Sequence, residues 1–441
     1  MDNSNTITRR RAVFDDEKLK FLYNLLLVLF PVLGIYTTFV PSVNLGELLL
    51  MAAFPFLLVD ALGRRVVLNP YWNFILYALI STFVVVVNER FVDYANVLFM
   101  TLRLIFHASL YLWLGYIYLD RKLLMKLYKG FVYAAVCLIF AQWIVFRLTG
   151  YLIPYLIPWL QLRWTIKNPV EVFAYRASHL PLRLSAFFVE PADYAQFVTP
   201  FFICQLFKNE KKTKTEWAFL GLIVASVLIS TSALFLVSIA IVCLLWLVWR
   251  IKRNGVTRTG LLLISGSFVA ALLYVFFSGN ISGIGELLDR LSEIDSAKGA
   301  TSGNMRVLRG FAVFGKLDLP NQLFGVGVGN TYHYSIAHSI KTQYDYGTSE
   351  NFINFMSSLS NILVWNGGVG LAIYLTVMVR QFICSERVGK VLILYLLILM
   401  LSASIYVVPT YPFLLSLIIG YERGGKDLSD GKAADHAERS E

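Results

Sequence analysis

The sequence predicts an all-α, polytopic membrane protein of about 12 transmembrane helices. Three observations carry that prediction. Of the 441 residues, 57% are apolar and only 15% charged, with a mean hydropathy of +0.63, whereas a water-facing domain carries about 25% charged residues. Apolar runs of roughly 17–25 residues recur from end to end, each long enough for a hydrocarbon core of about 30 Å. Their continuity excludes the alternating pattern of a transmembrane β-barrel.

The first span, 21–40, follows a basic segment and lacks a small-x-small cleavage site, so it is expected to stay as a signal anchor. Spans at 44–63, 70–88, 94–119 and 127–147 follow across short connections. After a long connection come 184–207, 217–230 and 233–250, the last two read as parted by a tight turn at Ser230-Thr231-Ser232, with one long tilted helix over 217–250 as the alternative. The series closes with 257–279, 350–379, 390–406 and 409–421, the last shortened by Pro409 and Pro412.

Lys and Arg fix the expected orientation. With the N-terminus inside, the inner segments hold Arg9, Arg10, Arg11, Lys18 and Lys20, then Arg64 and Arg65, then Arg121, Lys122, Lys126 and Lys129. The run Lys208, Lys211, Lys212 and Lys214 follows, and Arg250, Lys252, Arg253, Arg258, Arg380, Arg387 and Lys390 continue it. Both termini are thus expected in the cytoplasm, as segments 1–20 and 422–441 flanking a bundle over 21–421. The net charge of +11 is explained by topogenic anchors without nucleic acid. The tail from Glu422 is polar and expected to be disordered. The cysteines, at 137, 204, 243 and 384, show neither metal spacing nor outer-face pairing.

Two connections, 148–183 and 280–349, are long and external, which points the chemistry outward. The first carries Arg163, Lys167, Arg176, His179 and Arg183 against Glu171, interleaved with Tyr151, Tyr155, Trp159 and Trp164. Guanidinium forks match phosphate or pyrophosphate oxygens, and the aromatic rings could stack on sugars; an interfacial amphipathic segment is the alternative. Arg183 and Glu190, seven apart, would share a helix face. Glu190 would then lie about 10 Å and Asp193 about 15 Å below the outer boundary. Acidic groups at such depth mark a functional site or a structural ion pair. Arg103, near the middle of the fourth span with His107 on the same face, is the expected partner of Asp193 or Glu190.

In the second loop, 284–294 and Asn304 to Lys316 show helical periodicity, with Arg306 and Arg309 on one face as a candidate anion site. The run Phe324-Gly-Val-Gly-Val-Gly329-Asn330 is a weak candidate phosphate loop and no Walker motif. Asn351, Asn354, Ser358 and Asn361 form a polar stripe suited to interhelical hydrogen bonds. Glu350 at its outer mouth is a candidate general base.

Three of these motifs occur in a telling order. They are Arg183-Leu-Ser-Ala-Phe-Phe-Val-Glu190-Pro191, Arg306 ahead of Leu323-Phe-Gly-Val-Gly-Val-Gly329, and Glu350-Asn351 ahead of Trp365-Asn-Gly-Gly-Val-Gly-Leu371. In this the chain resembles the polysaccharide repeat-unit polymerases (Wzy-type) of the O-antigen polymerase and ligase family, over about 180–375. The resemblance implies a GT-C-like, metal-independent glycosyltransferase of the bacterial cell membrane that needs no cofactor. Its substrate would be undecaprenyl-pyrophosphate-linked oligosaccharide, and a chain-length regulator and a flippase would be its partners. Arg183 and Arg306 would hold pyrophosphate, and Glu190 would be the acid of the membrane-dipping motif. Glu350 stands where family ligases commonly have histidine, and Ala233 where they have arginine; both departures favour polymerase over ligase. A lipid-oligosaccharide flippase is the rival from another class, although no internal repeat is visible.

Overall fold

The computed structural model describes residues 16–40, 43–62, 64, 69–153, 157, 160–162, 184–208, 211–230, 233–254, 299–345, 355–406 and 408–422. Among these the chain is all-helical and forms no strand beyond three isolated bridges. The helices are α1 (Asp16–Leu33), α2 (Leu45–Ala61), α3 (Tyr71–Asn88), α4 (Tyr94–Tyr118, with a π-helical turn over Ser109–Leu114) and α5 (Arg121–Thr149). After the first long connection come α6 (Pro191–Leu206), α7 (Lys214–Ser230) and α8 (Ala233–Asn254). Four short helices, α9 (Ser302–Val307), α10 (Arg309–Phe314), α11 (Leu319–Phe324) and α12 (Thr331–Ala337), lie in the described part of the second connection. The last three are α13 (Ser358–Cys384), α14 (Arg387–Ser402) and α15 (Thr410–Ile419).

Among the described residues, four helices, α3, α4, α5 and α13, are long and apolar enough to cross a membrane. The protein is thus a helical membrane protein, with exposed apolar side chains such as Phe56, Ile80, Phe83 and Leu98 covering the outsides of α2, α3 and α4.

The bundle is organised around α15. All nine residues from Tyr411 to Ile419 are buried, and the helix touches α1, α4, α6 and α14. Pro409 and Pro412 set its length, since a proline deep in a helix loses one hydrogen bond and clashes with the preceding turn. Ser358, at the start of α13, holds the non-helical stretch between α14 and α15. Its hydroxyl accepts from the Ile405 and Tyr406 amides at 2.6 and 2.9 Å and donates to the Ala403 carbonyl at 2.9 Å. Unwound backbone inside a bundle survives only where such groups replace the missing helical bonds. Asn361 bonds weakly to Ser404, 3.5 Å away, so the described half of the polar stripe serves interhelical bonding.

The described part of the second long connection, 299–345, is packed into the bundle. α11 lies against α13, and the glycine run behind it is buried between α3, α4 and α13. The amides of Val326 and Gly327 donate to the carbonyls of Val364 and Trp365, both at 3.0 Å, and the Val328 amide donates to Thr82 Oγ1 at 3.1 Å. A phosphate loop needs its amides free; these are used in packing, which overturns the phosphate-loop expectation. The glycines are required by geometry. Gly325 and Gly367 have φ of +85° and +68°, and a Cβ on either would lie 2.2 Å from a carbonyl oxygen of the other segment.

At the opposite end, the predicted cytoplasmic one, Arg64 joins Asp16 and Asp60, and Tyr118 donates to Asp60 at 2.6 Å. Glu422 accepts from Tyr116 at 2.6 Å and from Gln381. It is therefore fixed to the bundle rather than the first residue of a loose tail.

Candidate functional site

α6 begins later than its sequence suggests. Residues 184–190 form a turn in which Phe188 N–H donates to the Ser185 carbonyl at 2.9 Å and Ser185 Oγ donates to Phe188 O at 2.7 Å. Pro191 is the first helical residue, because its ring and missing N–H are tolerated in the first turn but not within a helix. Glu190 is accordingly the N-cap, exposed, and not on a helix face shared with Arg183. Its expected depth of two helical turns is overturned. Its carbonyl accepts from Asp193 and Tyr194 at 3.1 and 3.2 Å, while its carboxylate makes no capping bond. The positive end of α6 favours a negative charge here and at Asp193, in its first turn. Val189 packs with Ile35, Tyr36 and Leu162, so Glu190 stands beside the α1–α2 turn and the described end of the first long connection.

Arg103 does not serve as the expected partner of Glu190 or Asp193. Its Nε and Nη2 donate to the two carboxylate oxygens of Glu47 at 2.7 and 2.5 Å, and His107 Nε2 lies 3.1 Å from Glu47 Oε1. Glu47 also closes a capping box: its N–H donates to Asn44 Oδ1 at 2.8 Å, and its Oε2 accepts from the Asn44 amide at 3.2 Å. All three side chains, those of Glu47, Arg103 and His107, are buried. A fork on both carboxylate oxygens, with a further donor on each, is the geometry a buried ion pair needs to offset desolvation. The trio is satisfied and inaccessible, so it fixes α2 to α4 rather than meeting a substrate. The signal for it was Asn44-x-x-Glu47, a capping-box pattern inside an apolar run.

Arg306 and Arg309 belong to different helices, broken at Leu308, and do not form one anion site. Arg309 is buried, with Nε donating to Asp345 Oδ1 at 2.7 Å. Arg306 is half-buried, with its guanidinium over the Phe355 ring at 5.1 Å, and has no carboxylate partner among the described residues. Its carbonyl accepts from the Ser357 amide at 2.7 Å, which fixes α9 to the mouth of α13. Arg163, Arg176, Arg183, Glu350 and Asn351, and the periodic stretch 284–294, lie outside the described residues.

The Asp345 pair has a pH consequence. Burial pushes the Asp345 carboxyl up, but the Thr342 amide and the Arg309 guanidinium outweigh it and hold the group below its ordinary value of 3.8. A lowered folded value stabilises the fold above the ordinary range, and that stabilisation is lost as pH falls through the lowered value. Acidification from about pH 6 to about pH 3 should therefore speed protease cleavage within 299–345. Asp345→Asn should be cut faster at pH 6 and respond less to acid. An acid response equal to wild type would show that other groups govern this segment.

The described candidates thus reduce to an unengaged carboxylate, Glu190, and an arginine without an ion pair, Arg306, at the same end of the bundle. No protein-family model matches the chain, and a search of curated proteins finds no match.

Proposed function

We propose that the protein polymerises undecaprenyl-pyrophosphate-linked oligosaccharide repeat units into a cell-surface polysaccharide, such as O-antigen, capsule or another exopolysaccharide. In this reading it is a metal-independent, GT-C-like glycosyltransferase of about 12 spans in the bacterial cell membrane, acting on the outer side. The observation that carries the reading is that Glu190 and Arg306 lie at one end of the bundle, neither taken up by the ion pairs that consume Glu47, Arg103 and Arg309. The order of the motifs around them supports it.

The chemistry needs little else. The hydroxyl of one repeat unit attacks the anomeric carbon of another as the bond from that carbon to the diphosphate breaks. Glu190 or Glu350 accepts the hydroxyl proton, a contribution of about 10²–10⁴-fold. The leaving diphosphate keeps the electron pair, and Arg306 with Arg183, Arg176 and Arg163 balances its charge. Asn351 and Asp193 would orient sugar hydroxyls.

The test is a gene deletion complemented with wild type, Glu190→Gln or Arg306→Ala, followed by gels of surface glycan and lipid-linked oligosaccharide. The expected result is loss of long polymer in the deletion and both variants, with single repeat units still reaching the surface. Long polymer left free on its lipid carrier would make the protein an O-antigen ligase instead. Wild-type polymer from both variants would remove these residues from the site.

A second reading, a lipid-oligosaccharide flippase, draws on the unwound stretch between α14 and α15, because transporters build central sites from discontinuous helices. Repeat units stranded inside the deleted cell would favour it.

A further inference from the structure

α11 and the glycine run behind it lie deeper in the bundle than a surface connection would, and α3 gives the scale. Its 18 residues rise about 27 Å, close to one hydrocarbon core, and lead into the polar sequence Asn88-Glu89-Arg90. The Tyr77 hydroxyl donates to the Asn366 carbonyl at 3.1 Å, and Tyr77 stands about 16 Å before the Asn88 end. Helical side chains lean toward their own N-terminus, so this bond does not lift Asn366 toward Asn88. Gly325 abuts Trp365 and Asn366, and Gly367 abuts Leu323 and Phe324. Phe324 and Gly325 therefore sit near the middle of the crossing.

From this low point the chain climbs to the Asn88 end in both directions. On the glycine side, Gly327 meets Val85 and the Val328 amide donates to Thr82 Oγ1, about 9 Å before that end. The Gly329 carbonyl then accepts from Asn96 Nδ2 at 2.7 Å, and His333 lies 3.6 Å from Asp93 in the α3–α4 turn. On the other side, Asp318 accepts from the hydroxyl of Tyr334, the neighbour of His333, at 3.1 Å. α11 is thus a descending arm and the glycine run an ascending one.

Backbone at such depth persists only where its polar groups are met by protein. The ascending arm satisfies this, being buried and bonded to α3 and α13. The descending arm is helical, and its polar side chains turn back on protein: Asn321 Nδ2 donates to Asp318 and Tyr334, and Gln322 Nε2 to the Leu317 carbonyl. Its apolar side chains point the other way. No residue of α11 is buried, and Leu319, Leu323 and Phe324 are 68%, 42% and 51% exposed. Ile80 and Phe83, exposed at similar depth on α3, already belong to the membrane-facing surface.

We infer that α11 and Gly325–Gly329 form a re-entrant hairpin whose apolar side, Leu319, Leu323 and Phe324, rests on acyl chains of the leaflet at the Asn88 end. The partner of this surface is the lipid itself. The hairpin replaces the wholly external loop expected over 280–349 and does not depend on the proposed reaction.

The experiment uses the full chain in nanodiscs of dioleoyl phosphatidylcholine. A diazirine analogue of phenylalanine is placed in turn at Phe324, at Phe83 on the outside of α3, and at the exposed Lys341 beyond α12. After illumination, intact-mass spectrometry should show an adduct of one phospholipid at Phe324, in a yield comparable with that at Phe83 and well above that at Lys341. An adduct no higher than at Lys341 would overturn the lipid contact. A cross-link to the chain itself or to a second copy would overturn it too, by placing protein on that face. Independently, Phe324→Asp should lower the monodisperse yield by on the order of tenfold, since a carboxylate near mid-crossing lacks water. Phe324→Leu should keep the wild-type yield, which separates lost apolarity from lost shape. Wild-type yield from Phe324→Asp would place α11 in water and overturn the hairpin.

Discussion

Arg103→Ala is expected to remove most folded protein from the membrane, and Glu47→Ala to do the same. Either change leaves one charge buried without its partner, between α2 and α4, where Glu47 is 1% exposed. Breaking a buried ion pair by removing one side costs about 3–5 kcal/mol, a large part of the stability of many domains. The capping box adds to the loss at Glu47, because its carboxylate also holds the Asn44 amide at the start of α2. The triple change Glu47→Leu/Arg103→Met/His107→Leu removes the ion pair together with the His107 ring bonded to it and should recover much of the yield, since apolar replacement of a complete buried pair is often neutral. The check is the monodisperse fraction in fluorescence-detected size exclusion. Single variants as abundant as wild type would show that water reaches the trio.

Gly325→Ala and Gly367→Ala form the second pair, and neither is expected to yield folded protein. At both positions a methyl group would sit 2.2 Å from a backbone carbonyl oxygen of the facing segment, in a backbone region that L-residues rarely adopt. The contact is mutual: the Gly325 side meets Trp365 and Asn366, and the Gly367 side meets Leu323 and Phe324. Neither chain can retreat, because Val326 and Gly327 are hydrogen-bonded to Val364 and Trp365. The expected cost exceeds about 4 kcal/mol, the range reached when overpacking and backbone strain combine. Gly130→Ala is the control, since nothing lies within 4 Å of its added methyl, and Ala favours a helix by about 1 kcal/mol. Retained thermal stability in Gly367→Ala would mean that the two segments can separate.

The glycine interlock also shows where sequence reasoning stops. The alternating glycines were visible as a turn, but a turn that cradles phosphate and a turn that accepts another backbone have the same residue types. Only the carbonyls of Val364 and Trp365, more than thirty positions away, distinguish them. The long apolar stretches were legible because bilayer thickness imposes one length on every crossing: α2 to α4 begin and end close to their predicted bounds. The region around Glu190 was misread for a local reason, since a seven-residue spacing means a shared face only if the chain is already helical, and Pro191 delays the helix. Arg103 was rightly singled out as a buried charge. Its partner was missed because Asp193 and Glu190 drew attention by their motif, while Glu47 was hidden in an apolar run.

The helix α15 carries a consequence for how the protein is made. Ten residues rise about 15 Å, half a hydrocarbon core, so this segment cannot leave the translocation channel as an independent crossing. Its buried surface has to be received by α1, α4, α6 and α14 together. Four helices drawn from distant parts of the chain must therefore already stand side by side. The Tyr411 hydroxyl, bonded to that of Tyr71, then joins α15 to α3. Entry of this helix is a docking event that waits on the four helices before it in the chain, and a cell's quality-control machinery can read assembly of these five from whether that docking has occurred.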